Sequence, residues 1–181
     1  MQELILLKLG EVVLKGLNRH TFEDKLLANL RRRMKNYGDF RISSKQSTIY
    51  VEPAEEGCDI DGAFEACRRV FGIVSVVRAR ACPKDMEAII ATATSYLKDA
   101  LLAAKSFKVE SKRSDKNFPL GSIDISRQVG GALHDAYPHL TVDVHSPELT
   151  VLVEIREKAA YVHGAAVSGA GGLPIGMGGT A

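Results

Sequence analysis

Apolar positions recur along this chain with two periods, and the switches between them mark the elements. Residues 4–9 are nearly all apolar and 12–14 resume the run after Gly10, which predicts an opening strand. Phe22, Leu26, Leu27, Leu30 and Met34 then return at helical spacing, with Asn18 as the N-cap and an end near Asn36. Gly38 suits a left-handed residue just past that end. Two short strands, 41–44 and 48–52, flank a Lys45-Gln46-Ser47 turn. A second helix is predicted over 59–70, with Ala63, Phe64, Cys67 and Phe71 facing inward, and a strand over 74–79. The order β-α-β-β-α-β is that of the ferredoxin-like split unit. It closes near Ala81, and Pro83 marks a boundary.

Past that boundary the pattern predicts one unbroken helix, its stripe running from Met86, Ile89 and Ala93 through Leu97 and Ala100 to Leu101 and Ala104. A strand at 107–111 and a polar loop at 112–121 follow. Ser122 could cap a helix reaching Ala136, with Ile125, Val129, Leu133 and Ala136 on one side. Strands at 141–144, 150–156 and 159–163 complete a second layered unit. The expected fold class is therefore α+β, a ferredoxin-like domain over 1–80 and an α/β domain over 81–166. The glycine-rich stretch 167–181 cannot build a core and reads as a linker, so the chain is expected to continue in a longer parent. Gly171 and Gly176 have P-loop spacing, but Met177 stands where the phosphate-binding lysine must be.

Composition adds little: 45% apolar and 25% charged residues is an ordinary globular balance, and a net charge of +2 leaves the decision to charge placement. Cys58, Cys67 and Cys82 form no CxxC pair and are expected to be reduced, partly buried thiols. His20, His134, His139, His145 and His163 fit no metal or triad spacing. Glu11, Asp124 and Glu154 are carboxylates without an evident partner. No catalytic residue and no metal site is expected. The chain has no run of eighteen apolar residues and its start lacks the features of a signal peptide, so no membrane association and a cytoplasmic location are expected.

Two clusters of cations stand out. On the first helix Lys25, Arg31, Arg32 and Lys35 share the arc opposite Leu30, either as a solvated surface or as a phosphate-contacting patch. In the segment 107–119, Lys108, Lys112, Arg113 and Lys116 sit beside Phe118 and ahead of a helix N-terminus that favours anions. Several converging cations suit a phosphate-rich partner such as RNA. Phe118 could stack on an unpaired base, or it could turn into the core.

The opening LLKLGEVVLKGLNRHTFEDKLLANLR resembles the N-terminus of the ThiI-type tRNA 4-thiouridine synthetases, or tRNA sulfurtransferases. FKVESKRSDKNFPLGSIDISRQVGGAL resembles the core of their THUMP domain, an RNA-binding module shared with several other RNA-modifying families. YVHGAAVSGAGGLPIGMGG resembles the stretch leading into their ATP pyrophosphatase domain, whose SGGxDS loop this sequence does not reach.

The resemblance implies a tRNA-binding portion of an ATP- and Mg-dependent enzyme. That enzyme makes 4-thiouridine at position eight of tRNA and can also supply sulfur for the thiazole of thiamine. It implies tRNA as partner, gripped by its acceptor stem and CCA end, a cysteine desulfurase as the parent's sulfur donor, and a homodimer. It implies no cofactor in this chain, which alone is expected to be inactive. The matching RNA-binding positions are Lys15, Asn18 and Arg19 near the first turn, and Lys112, Arg113, Lys116, Phe118 and Arg127 in THUMP. The cationic pattern adds Arg31, Arg32 and Lys108. A stand-alone THUMP-type adaptor for another tRNA-modifying enzyme is the main rival, and a small-molecule-binding ferredoxin-like regulator a second.

Overall fold

A computed structural model describes residues 3–10, 19–45, 47–164 and 167–168. The chain forms two compact units, one built on Glu3–Arg78 and the other on Ala79–Ala165. Strand β4 contributes its first part to the one and its last to the other.

The first unit contains β1 (Glu3–Leu9), α1 (Arg19–Met34), β2 (Phe40–Lys45), β3 (Thr48–Pro53), α2 (Ile60–Arg68) and β4 (Ile73–Cys82). Its strands lie in the order β2-β3-β1-β4. That is the ferredoxin-like arrangement the periodicity predicts. The β2–β3 hairpin pairs Phe40 with Pro53 through Lys45 with Thr48, and β1 runs antiparallel to β3. A two-residue strand, β9 (Val167–Ser168), pairs with β4 at Ser75 and Val76. The predicted continuation at 12–14 and the cap Asn18 lie outside the described residues.

Leu26, Leu30 and Met34 on α1 and Ala63, Ala66 and Cys67 on α2 close over Ile5, Leu7, Ile49 and Val51. Burial pushes the Cys67 thiol up to about 12, against a smaller opposing effect of Arg33. The helix is left by a turn in which Gly38 takes φ +137°, and a Cβ there would lie 2.7 Å from Cys58 Sγ. Phe71 departs from expectation: it is 56% exposed in the turn after α2, with its ring near Phe22. The helix ends at Arg68, so the period that would have carried Phe71 inward has already stopped.

The second unit adds α3 (Met86–Tyr96), α4 (Lys98–Ala103), β5 (Ser106–Arg113), α5 (Ser122–Ala136), β6 (Thr141–Val142), β7 (Leu149–Ile155) and β8 (Ala160–His163). The strands lie in the order β4-β8-β7-β5-β6. β5 is parallel to β6 and β7, and β8 is antiparallel to β7 and β4. Ile89, Leu101, Phe107, Ile125, Val129 and Val151 lie at the centre of its core.

Three expectations change here. The helix expected over 86–104 breaks at Leu97, and Ala100 faces solvent. Thr94 Oγ1 and Ser95 Oγ donate to the carbonyls of Ile90 and Ala91, and such back-bonding bends a helix. Ser122 is the first helical residue rather than the cap, which is Gly121 without a side-chain cap bond. The inward position expected for Ala136 belongs to Tyr137, whose hydroxyl donates to Thr94 O at 2.7 Å. Among the described residues no helix is long and apolar enough to cross a membrane, and no cluster of His, Cys, Asp and Glu could hold a metal ion.

Candidate nucleic-acid interface

The cationic segment of the second unit is not a loose loop. Lys112 and Arg113 are the last two residues of β5, so the sheet fixes their backbone. The turn that follows is tied down from several sides. Ser114 and Asp115 N–H both donate to Ile155 O, at 2.9 and 3.3 Å. Asp115 accepts from Asn117 N–H at 3.0 Å and from Lys84 Nζ at 2.6 Å. Lys84 also donates to Glu157 O at 2.6 Å, which clips the turn to the β7–β8 connection. The Lys84 ammonium, with the Asn117 N–H beside it, holds the Asp115 carboxyl below the usual carboxylate range.

Arg113 supplies the inner clamp. Its Nη1 donates to Lys116 O at 3.3 Å and Phe118 O at 3.0 Å. Phe118 is 6% exposed and belongs to the core. Its ring is therefore not offered to a base. The segment needs an apolar anchor to fold back onto α5, and Phe118 is its large apolar side chain.

The candidate cations thus separate by environment. Lys112 and Lys116 are exposed, with side chains that have no partner among the described residues. Lys108 pairs with Glu110 at 2.7 Å. Arg127 on α5 pairs with Asp124 one turn earlier and remains largely exposed. In the first unit Arg31 and Arg32 are exposed on the last turns of α1. Arg31 Nη2 reaches Ile42 O at 3.4 Å, and Arg32 Nη2 donates to Asn29 Oδ1 at 3.0 Å. Lys15 and Asn18 lie outside the described residues, as does the side chain of Arg19, the first residue of α1.

One constellation escaped sequence reasoning. Glu154, expected to stand alone, accepts from His163 Nε2 at 2.7 Å and from Arg156 Nη2 at 2.5 Å. Glu154 is 2% exposed and His163 5%, so the group leaves no space for a substrate and joins β7 to β8 instead. The signal lay in the hairpin register, which pairs Glu154 with Tyr161 and Leu152 with His163, leaving Glu154 and His163 diagonal on one face.

Residues 4–77 match the ThiI ferredoxin-like domain and residues 83–163 the THUMP domain. The chain belongs to the ThiI family. A probable tRNA sulfurtransferase of Acetivibrio thermocellus is 42% identical over 183 residues, covering 100% of this chain and 46% of that protein. Its counterpart in Caldanaerobacter subterraneus subsp. tengcongensis is 39% identical, with the same coverage. The ThiI-family chain described here therefore spans about half the length of the curated relatives it matches. A 4-thiouridine synthetase solved with RNA and bound ATP superposes with a TM-score of 0.80 at 24% identity, over 98% of this chain and 45% of that one. That likeness shows the same fold, ferredoxin-like followed by THUMP.

Proposed function

We propose that these two domains are the tRNA-holding part of a ThiI-type sulfurtransferase, which makes 4-thiouridine at position eight of tRNA. The observation that carries the reading is the clamped turn after β5. Arg113 and Lys84 fix its backbone while Lys112 and Lys116 stand exposed with no partner among the described residues. Preformed, unpaired cations on a rigid backbone give phosphate contacts at little ordering cost. The exposed Arg31 and Arg32 of α1 add a second cationic surface, on the first unit. The names of the relatives support tRNA as the partner, as does the RNA bound in the structural neighbour.

In this reading the chain grips the acceptor stem and CCA end by shape and charge, and modifies nothing itself. ATP and Mg, and the chemistry of uridine activation and sulfur transfer, belong to the remaining half of a longer polypeptide. A cysteine desulfurase would supply the sulfur, the parent would act as a homodimer in the cytoplasm, and thiamine thiazole synthesis could draw on the same sulfur. The direct test is titration of the chain with tRNA and with an acceptor minihelix, with and without its CCA end. Tighter binding of the two RNAs that carry CCA supports the reading. Equal affinity for all three, or no binding at physiological salt, contradicts it.

A further inference from the structure

The first unit carries an open sheet edge beside free cations. β2 is the outermost strand on its side, and among the described residues no strand lies beyond it. Lys45 faces Thr48 across the hairpin turn, and Ala54 N–H donates to Asp39 O at 2.8 Å. Odd-numbered residues of β2 therefore turn their backbone groups to β3, and Phe40, Ile42 and Ser44 turn theirs outward. Arg31 Nη2 donates to Ile42 O at 3.4 Å, which brings the end of α1 against the middle of this edge.

Cations stand on both sides of the edge. Lys35 follows Arg31 by one helical turn and keeps to the same flank. Ile42 is buried beneath the helices, so strand alternation places Arg41 on the opposite face. Lys35 and Arg41 are exposed, and neither side chain has a partner among the described residues. Glu52 stands opposite Arg41 in the register, without an ion pair between them. No further strand hems in these side chains, so the long stems of Lys and Arg can lean past the edge from either face.

The backbone groups choose between ligands. An added peptide strand would need both the N–H and the C=O of Ile42. Arg31 already engages that carbonyl and leaves the N–H, and cationic side chains of this kind guard an edge against pairing. A phosphodiester offers acceptors only, and backbone N–H groups, Arg and Lys are its usual partners. We infer that the outer edge of β2 is where the first unit holds the RNA. A phosphate backbone runs along it, meets Ile42 and Ser44 N–H, and is flanked by Lys35 and Arg41. The inference rests on the tRNA reading and deepens it by naming two contact residues and the strand edge between them.

The test uses the whole 181-residue chain with an acceptor minihelix, and polyglutamate as the acidic-protein control. Amide hydrogen exchange at Ile42 and Ser44 is followed by NMR, and minihelix affinity is measured against salt. The minihelix is expected to slow exchange at both amides. The Lys35→Ala, Arg41→Ala double variant should weaken minihelix binding and make its salt slope shallower by roughly two. The Lys98→Ala, Lys105→Ala double variant, which removes two exposed lysines of the second unit, should leave both unchanged. Unchanged exchange at both amides, slowing by polyglutamate alone, or equal losses in the two double variants would overturn the inference. If Lys112→Ala, Lys116→Ala loses affinity while Lys35→Ala, Arg41→Ala does not, the tRNA reading stands and this inference falls; a chain that binds no RNA sinks both.

Discussion

Arg113 donates from Nη1 to the carbonyls of Lys116 and Phe118, while the neighbouring Lys112 side chain has no partner among the described residues. The two adjacent cations therefore do different work in this account. Removing Lys112 deletes a charge from the surface; removing Arg113 releases the turn. Arg113→Ala should lower both tRNA affinity and thermal stability, whereas Lys112→Ala should lower affinity and leave the melting temperature within error. Equal melting temperatures for the two variants would mean that the clamp does not hold the turn. Phe118→Ala should cost about 3–5 kcal/mol of stability, the range for emptying a buried aromatic site. Chemical denaturation measures it, and a cost near zero would return the ring to the surface. Which cations were free was not legible from residue type. Lys, Arg and Phe in one segment look alike as a pattern until Ile155 O and Glu157 O, both distant in sequence, claim the backbone and Lys84.

At the scale of elements, the Lys84–Asp115 bridge ties the start of α3 to the turn after β5. The folded state favours ionised Asp115, because its carboxyl is held below its ordinary range. Its contribution is complete above that ordinary range and is lost as pH falls through the depressed value. Thermal melts across acid pH should show a loss that Asp115→Asn removes; parallel profiles for the two proteins would contradict it. α5 makes the opposite kind of prediction. Gly131→Ala adds a methyl group where nothing stands within 4 Å, and should stabilise the chain by about 1 kcal/mol through helix propensity. A lower melting temperature for that variant would mean the glycine has an internal role.

Most elements were legible because their periodicity is strong: α1, α2, α5 and the β2–β3 hairpin fall where the apolar spacing puts them. The break at Leu97 was not, because the apolar stripe continues across it and only the Thr94 and Ser95 hydroxyls disturb the backbone. Nor was the Glu154–His163–Arg156 group, since β7 and β8 had to be paired in register before its members met.

For the molecule as a whole, a net charge of +2 is too small to explain polyanion binding by average field, so affinity has to come from local clusters. Each lysine that displaces a counterion at a phosphate steepens the fall of log K with log salt, by about 0.9 on a double helix such as B-form DNA. The first unit offers Arg31 and Arg32, and the second Lys112 and Lys116. If both contact tRNA, losses from the two clusters should add.

The most direct test of that claim is the salt dependence of tRNA affinity for the unaltered chain and for the Lys112→Ala, Lys116→Ala double variant. The account predicts weaker binding to every tRNA and a slope shallower by roughly two. An unchanged slope, with affinity intact, would show that these lysines face away from the RNA and would contradict the account.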